Sequence, residues 1–465
     1  MKWTQEQEQA MYEKGSNILV AAAAGSGKTA VLVERIINKV ITENIDIDKL
    51  LVVTFTNAAA SEMRERVLNA IYKKIDEEPE NERLQRQVTL LNKSNICTID
   101  SFCLDVVRNN FFELDISQNF RIGDTTEIEI LKQDIIEEIF EEKYESKDKD
   151  FEKLINTYTS YKDDTPLKEL ILKIYTYIQS NPFPEKWLNE KIEMFNLDNL
   201  EQDFAKTVWG KLLLKQVEEI LQDGIIKLEK ERNNLGKYTE LTTYFQIIND
   251  DIEQLEMLKA NLDSWDKAYE LTLNLKFKTW AVNKKITEEA KDIAKQTRDE
   301  VKGAIKKITE KILIFNSKEA NQDINDMYEI LKKLEKVILE FGEKFAKRKK
   351  EKNIVDFGDV EHFALQILLD EETKEPTEIA KKYQEKFEEI AIDEYQDSNL
   401  VQEYILNAVS RGNNIFMVGD VKQSIYKFRQ ARPDLFLNKY KTYKLKQEKD
   451  ENDNLKIQLF KNFRS

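Results

Sequence analysis

The sequence predicts an α/β protein in which one parallel sheet is split by a large all-helical insertion. Short apolar runs alternate with helical patterns in the first 115 residues and again after residue 356, and this alternation is typical of strand–helix–strand units. Strand-like runs are almost absent from about Asp124 to Lys350. Glycine (12 residues) and proline (6) are scarce for a chain of 465 residues, which favours long helices.

The predicted strands are short apolar runs, several of which are followed by a helical pattern, an acid or a turn. They occupy residues 17–21, 50–55, 96–99, 389–392, 415–418 and 456–459. Half of them precede the insertion and half follow it. One sheet with a long insertion explains this division better than three independent domains do.

The insertion is predicted to be a domain of several antiparallel helices. Segments 127–142 and 325–347 carry apolar residues at helical spacing, with lysine and glutamate between them. Four of the five tryptophans lie in this part of the chain, and we expect them to fill its core rather than to stack on nucleic acid. They are Trp187, Trp209, Trp265 and Trp280.

Composition excludes some classes of protein. The formal net charge of −15 argues against a general basic coat, although a local basic groove for nucleic acid stays possible. Two cysteines, Cys97 and Cys103, and one histidine, His362, exclude a disulfide scaffold and argue against a zinc site. No apolar run approaches the ~18 residues of a membrane span, and the first residues do not resemble a signal peptide. We therefore expect a soluble cytoplasmic protein with reduced thiols.

A phosphate-binding loop is predicted directly after the first strand. Gly25 and Gly27 allow backbone N–H groups to curl around phosphate oxygens, and the positive end of the next helix lies at the same place. Lys28 would neutralise the β- and γ-phosphates, and the Thr29 hydroxyl would bind Mg²⁺. The strand before, the helix after and the Lys-Thr pair make a glycine turn without function a poor alternative. Residues expected at this nucleotide site are Ala22, which replaces the usual glycine, Ala23, Ala24, Gly25, Ser26, Gly27, Lys28 and Thr29.

The acids that such a loop needs follow the apolar run 389–392. Asp393 comes at the carboxyl end of this predicted strand, where parallel sheets bind ligands. Asp393 would reach Mg²⁺, and Glu394 would orient or deprotonate the attacking water. The alternative is a solvated acidic pair, which rarely follows a buried strand.

The segment 393–397, Asp-Glu-Tyr-Gln-Asp, resembles the DExQD motif of UvrD-like superfamily 1 DNA helicases. Other motifs of this family are matched in the expected order, by residues 4–10, 54–60, 98–102, 418–429 and 462–465. The resemblance implies a RecA-like P-loop NTPase fold, ATP and Mg²⁺ as cofactors, and ATP-driven movement on single-stranded DNA.

The resemblance also implies roles for individual residues. Gln7 would contact adenine, and Phe463 would stack on its ring. Gln423 would sense the γ-phosphate, and Arg464 would act on transition-state charge. Asp100 stands where many relatives carry histidine, so no DNA contact is assigned to it. The expected DNA contacts are Phe55, Thr56, Asn57, Ser101, Phe102, Phe428 and Arg429, with core packing as the alternative for Phe55 and Phe428.

Within this family, residues 3–7, 18–35 and 419–433 are most similar to the AddA-type helicase/nucleases of Firmicutes. This similarity implies action on duplex ends in double-strand break repair and recombination, a heterodimer with a nuclease of the AddB type, and a nuclease domain further along the protein. The expected domain bounds are 1–120 and 351–450 for the two halves of the RecA-like domain, 121–350 for the insertion and 451–465 for the start of a second motor domain.

The leading interpretation is a working motor module, and two others stay open. In the first, the chain is a truncated fragment that binds nucleotide and DNA with little turnover. A P-loop ATPase unrelated to DNA is a third possibility, but it leaves the match of residues 419–429 unexplained.

Overall fold

The computed structural model describes residues 3–23, 25–159, 163–235, 242–279, 288–423, 431–451 and 453–461. Contacts divide the chain into two compact units. The sheet unit comprises Met1–Trp187 and Val337–Ser465, and the helical unit comprises Leu188–Lys336. None of the described helices is long and apolar enough to cross a membrane.

The sheet unit contains a six-stranded sheet in which all neighbouring strands are parallel. The strands of the described chain are β1 (Ile18–Ala22), β2 (Leu50–Thr54), β3 (Asn95–Thr98), β4 (Arg121–Ile122), β5 (Ile354–Val355), β6 (Glu389–Ile392), β7 (Ile415–Gly419) and β8 (Leu455–Leu459). The order in the sheet is β3-β2-β6-β7-β1-β8, and β4 and β5 form a separate two-stranded pair. The predicted α/β class with a parallel sheet is confirmed, and β1 and β6 are separated only by β7.

Helices cover both faces of the sheet and form the helical unit. They are α1 (Gln5–Tyr12), α2 (Lys28–Ile41), α3 (Asn57–Glu77), α4 (Glu82–Leu91), α5 (Ile99–Asn109), α6 (Thr125–Ser146), α7 (Lys149–Tyr158), α8 (Thr165–Ile178), α9 (Pro184–Glu193), α10 (Val208–Leu235), α11 (Thr242–Lys259), α12 (Trp265–Asn274), α13 (Glu288–Lys311), α14 (Ser317–Glu351), α15 (Phe357–Leu368), α16 (Glu378–Lys386), α17 (Leu400–Ala408) and α18 (Pro433–Thr442).

Alternate residues of the strands β1, β2, β3, β6 and β7 enter two different cores. In β1, Leu19 packs into a core that also contains residues of α5, α15 and α17. Its neighbours Ile18 and Val20 pack into a second core with residues of α2 and α3. Burial on both faces explains why β1, β2, β6 and β7 are continuous apolar runs. Strand β8, at the edge of the sheet, alternates apolar and polar residues because only one of its faces is buried.

The helical unit has its own core, and Trp265 lies in it. The Trp265 side chain is 1% exposed and its indole N–H donates to the Phe315 carbonyl oxygen at 2.9 Å. Trp209 is partly buried against the same core. Trp187 falls in the sheet unit, where its ring lies 5.6 Å from that of Tyr177. Core packing is thus observed for Trp265 and Trp209. Trp187 is partly buried beside the exposed Tyr177 instead, and Trp280 lies outside the described residues.

The observed boundaries differ from those that the sequence indicated. The compact helical unit is shorter than the expected insertion 121–350, because β4 pairs with β5 and Tyr175 of α8 packs against Phe341 within the sheet unit. Strand β8 pairs with β1. Residues 455–459 therefore complete the first sheet, although the family resemblance placed 451–465 at the start of a second motor domain.

A buried ion cluster joins three elements of the sheet unit. Arg35 of α2 donates hydrogen bonds of 2.8 and 2.6 Å to the two carboxylate oxygens of Glu389, at the start of β6. The same guanidinium donates to the Ala10 carbonyl oxygen of α1 at 2.8 Å. Lys39 adds a second ion pair to Glu389 at 3.0 Å. Burial alone would raise the pKa of Glu389, but Arg35 and Lys39 hold that pKa below its ordinary value.

Arg35→Met is expected to lower the free energy of unfolding of the sheet unit by about 3–5 kcal/mol, because it leaves Glu389 buried without its principal partner. Chemical denaturation monitored by circular dichroism measures the loss. Arg121→Met is the matched control, since the Arg121–Glu127 pair, with its 2.8 Å contact, lies at the surface and its attraction is screened by solvent. The control variant should unfold at nearly the wild-type denaturant concentration. Equal losses in the two variants would contradict the prediction.

Candidate active site

The loop between β1 and α2 has the backbone that phosphate binding requires. Gly25 and Gly27 have positive φ angles of 78° and 84°, a region that glycine enters without strain. The N–H and the hydroxyl of Ser26 both donate to the Ala23 carbonyl oxygen, at 3.1 and 2.7 Å. Helix α2 begins at Lys28, directly after this loop. The first N–H groups of a helix have no partner within it and can bind an anion.

Two carboxylates lie beside this loop. Asp393 directly follows β6, and its N–H donates to the Val53 carbonyl oxygen of β2 at 2.9 Å. The Lys28 ammonium donates hydrogen bonds of 3.1 and 3.4 Å to the two carboxylate oxygens of Glu394, 366 residues further along the chain. Thr29, Asp393 and Glu394 line one cavity of about 370 Å³. The structure thus brings together the four residues that the sequence predicted to meet.

The electrostatics of this cavity favour a cation. Burial, and after it the Glu394 carboxylate, raise the pKa of Asp393 to about 6. Lys28 acts in the opposite direction but does not offset these two effects. A positive charge bound next to Asp393 would stabilise its ionised form.

A chain of hydrogen bonds leads from Glu394 to the end of β7. The buried Gln396 amide donates to Glu394 Oε2 at 2.7 Å and accepts from the Asp420 N–H at 2.9 Å. The Gln423 amide then donates to the Asp420 carboxylate at 2.7 Å. Gln423 lines the same cavity as Glu394. Sequence reasoning assigned no role to Gln396, although this residue is the glutamine of the Asp-Glu-Tyr-Gln-Asp motif.

Gln7 contacts the phosphate-binding loop rather than standing apart from it. Its side chain is 4% exposed, and its amide donates to the Ser26 carbonyl oxygen at 3.1 Å. Its Oε1 atom accepts from the Thr4 N–H at 3.0 Å and so caps α1. The amide keeps one further N–H and one lone pair, so the predicted adenine contact is compatible with both bonds.

Several predicted DNA-contacting residues lie at the carboxyl ends of β2 and β3. Phe55 lines the cavity beside Glu394. Thr56 and Asn57 are exposed at the start of α3, where the Thr56 hydroxyl accepts from the Ala59 N–H at 3.1 Å. The Ser101 hydroxyl lies 2.9 Å from that of Thr98. These positions leave contact with a nucleic acid strand possible, and the roles stay predictions.

The prediction for Phe102 is corrected by the structure. Its side chain is 3% exposed and lies in the core under α5. The ring packs edge-on against Tyr383 at 5.8 Å and lies 6.1 Å from the ring of Phe387. Thr98 caps α5, and Phe102, one turn into this helix, points into the core.

Other predicted site residues lie outside the described residues. They are Ala24, Phe428, Arg429, Phe463 and Arg464. Their assigned roles stay predictions.

Next to the candidate site, a second carboxyl group has an unusual environment. The Glu361 carboxylate, on α15, accepts hydrogen bonds from Gln402 at 2.7 Å and from Asn399 at 3.2 Å. Burial raises the pKa of Glu361 to about 7, and Asp100 also raises it. Gln402, Asn399 and Asp100 line a cavity of about 210 Å³ that also includes Asp393. No motif in the sequence identified Glu361.

Glu361→Gln is expected to stabilise the protein at high pH relative to wild type. The folded protein holds this proton more tightly than the unfolded chain, so the proton's contribution to stability is complete below the ordinary pKa of 4.5 and is lost as pH rises to about 7. Melting temperatures from about pH 5 to pH 8 should therefore fall more in wild type than in the variant. Parallel curves would refute this, and Glu77→Gln, an exposed change on α3, provides the control.

Comparisons with known proteins identify the family to which this chain belongs. A family model for the UvrD/REP helicase N-terminal domain matches residues 3–223 and 221–444. The whole chain is 46% identical to part of an ATP-dependent helicase/nuclease protein of Clostridium beijerinckii, 45% to its counterpart in Clostridioides difficile and 47% to that in Clostridium botulinum. The chain spans 37–38% of the length of these relatives. Because the family model matches nearly the whole chain and the site has the expected residues, the chain belongs to the UvrD/REP helicase family, in its N-terminal domain.

Proposed function

We propose that this chain is the ATP-hydrolysing module of a DNA helicase that moves on single-stranded DNA. The observation that carries the proposal is that Thr29, Asp393 and Glu394 line one cavity while Lys28 is bonded to Glu394. A loop of this backbone, followed by a helix and a lysine, is suited to a triphosphate. Family membership supports the coupling of ATP hydrolysis to DNA.

The chain's own groups suit the steps of phosphoryl transfer. Lys28 and the first N–H groups of α2 would bind the phosphates and balance their charge. Glu394 would then leave Lys28 and orient or deprotonate the attacking water. When the Glu394 carboxylate moves, the hydrogen bonds through Gln396 and Asp420 would transmit that movement to Gln423, in the segment after β7.

The residues present fit a magnesium ion. The Thr29 hydroxyl and the Asp393 carboxylate line one cavity, and oxygen groups of this kind are the ligands that Mg²⁺ prefers. Burial and the Glu394 carboxylate destabilise the ionised form of Asp393 and raise its pKa, and a bound cation would stabilise that ionised form. Bound there with ATP, Mg²⁺ would supply charge neutralisation for the phosphates.

Further roles are proposed from the family resemblance. Gln7 and Phe463 would hold the adenine, and Arg464 would act on transition-state charge. Single-stranded DNA would contact Phe55, Thr56, Asn57 and Ser101, together with Phe428 and Arg429. Residues 1–120 and 351–450 remain the proposed core of the motor domain.

The names of the relatives suggest the setting of this activity. They are components of ATP-dependent helicase/nucleases. We infer action in the cytoplasm on duplex ends during double-strand break repair and recombination, in a heterodimer with a nuclease of the AddB type. Nuclease activity would belong to parts of the protein beyond the matched region.

A second candidate function is a nucleotide- and DNA-binding unit with little turnover by itself. The observation that favours it is that the described residues form one six-stranded sheet, since a motor that hydrolyses ATP between two such domains needs both. Rates of ATP hydrolysis with and without single-stranded DNA distinguish the two functions. Strong stimulation supports the motor module, whereas tight nucleotide binding with negligible hydrolysis supports the binding unit.

Lys28→Ala is expected to lower DNA-stimulated ATP hydrolysis by about 100-fold or more, because the variant lacks the positive charge that would stabilise the negative phosphates in the transition state. A coupled assay of phosphate release measures the rate. Lys74→Ala removes an exposed lysine of α3 and should leave the rate within about twofold. DNA-stimulated hydrolysis by the Lys28 variant at the wild-type rate would overturn the assignment.

Glu394→Gln is expected to lower kcat by about 100-fold or more while nucleotide affinity is retained or increased. The physical reason is that the neutral amide competes less strongly than the carboxylate for Lys28, which is then free to bind phosphate. Isothermal titration with ADP and ATP measures the affinity. A variant that loses both turnover and affinity would show that Glu394 supports the fold of the site instead.

A further inference from the structure

The backbone of Glu394 is held in an unfavourable conformation. Its φ and ψ angles are 50° and 43°, in the left-handed region that residues with a Cβ atom rarely adopt. Such a conformation persists only where the surroundings determine it. The groups that fix the residues on either side of Glu394 therefore decide where its carboxylate lies.

Tyr395, the next residue, is anchored in the core by its hydroxyl as well as by its ring. The side chain is 1% exposed. The phenol donates a hydrogen bond of 2.8 Å to Glu403 Oε2, on α17. The ring of Phe436, on α18, packs at a tilt 6.2 Å from the Tyr395 ring. The side chain that follows Glu394 thus has a defined position and a defined direction.

Lys439 completes this anchor from α18. Its ammonium lies 2.8 Å from Glu403 Oε1 and 5.7 Å from the centroid of the Tyr395 ring. Burial alone would lower the pKa of Lys439, but Glu403 and Tyr443 outweigh that effect and raise it. Asn407 donates to the same oxygen of Glu403 at 3.1 Å. Each Glu403 oxygen therefore has a partner of fixed geometry.

The same turn is held from its other side. Gln396 bonds both to the Glu394 carboxylate and to the Asp420 N–H. The Arg432 N–H, which precedes α18, donates to the Ser398 carbonyl oxygen at 3.0 Å. Apolar side chains would fill this space at lower desolvation cost than a buried ion pair does. The charged groups instead give the turn a directional constraint.

We propose that Glu403 and Lys439 are positioning residues for Glu394. They fix Tyr395, and through it the left-handed turn that directs the Glu394 carboxylate at Lys28. Neither residue lines the cavity beside Asp393, so they act through Tyr395 and not on the nucleotide. The inference rests on the proposed function, in which Glu394 acts on the attacking water.

The decisive experiment uses crystal structures of the 465-residue chain with Glu403→Ala and with Tyr395→Phe. Glu394 is expected to leave the left-handed region, or its carboxylate to move away from Lys28, in the alanine variant and to a smaller extent in the phenylalanine variant. Tyr440→Phe is the matched control, because its hydroxyl bonds to Gln458 and not to Glu403. Retention of the wild-type Glu394 geometry in both test variants overturns the inference.

Steady-state kinetics distinguish a positioning role from a role in stability alone, because only a positioning role should lower kcat while leaving KM and nucleotide affinity unchanged. The two test variants should lower kcat for ATP by about 5- to 20-fold with KM and the affinity for ADP within about twofold. Glu403→Gln keeps one acceptor, which the phenol can use, but loses the charge that pairs with Lys439, and should therefore recover only part of kcat. If the wild-type chain hydrolyses no ATP with or without DNA, the proposed function fails, whereas the crystal structures still decide the positioning role. Lower kcat with unchanged Glu394 geometry also overturns the inference.

Discussion

Everything at this site depends on the parallel register of the central sheet. In a parallel sheet the carboxyl ends of all strands lie at one edge. The phosphate loop after β1 and Asp393 after β6 therefore lie at the same edge, with only β7 between the two strands. That arrangement joins residues 366 apart in sequence through the Lys28–Glu394 contact. An insertion between β3 and β6 leaves the register unchanged, because strand pairing and not chain continuity fixes the edge.

The opposite ends of the same elements are fixed by a different kind of interaction. Glu389 begins β6 and is held by Arg35 and Lys39 of α2, while Asp393 follows the other end of that strand. Helix α2 starts at the phosphate loop and carries both cations further along its length. The strand and helix are therefore tied together near both ends, which limits relative sliding between the loop and the acids.

Much of this arrangement could be predicted from the sequence, because buried parallel strands are continuous apolar runs and glycine loops have a fixed spacing. All six predicted strands occur in the sheet, within one or two residues of their expected bounds. The prediction for Phe102 was wrong because one motif does not reveal which face of α5 turns inward. Glu361 and Glu403 were missed for a related reason: Gln402, a partner of Glu361, and Lys439, a partner of Glu403, lie about 40 residues or fewer further along the chain on other helices. The short β4–β5 pair carries too little apolar pattern to be recognised.

The ion pair between Lys28 and Glu394 gives the phosphate loop a counter-ion of its own. An incoming ligand has to displace the Glu394 carboxylate from Lys28. Because Glu394 belongs to the same polypeptide, its ion pair with Lys28 forms without the translational entropy cost that a free ligand has on binding. A single weak anion gains little from such an exchange, whereas a chain of several phosphate groups also gains the backbone amides of the loop. Discrimination against small anions is thus a property of the resting protein, set before any substrate arrives.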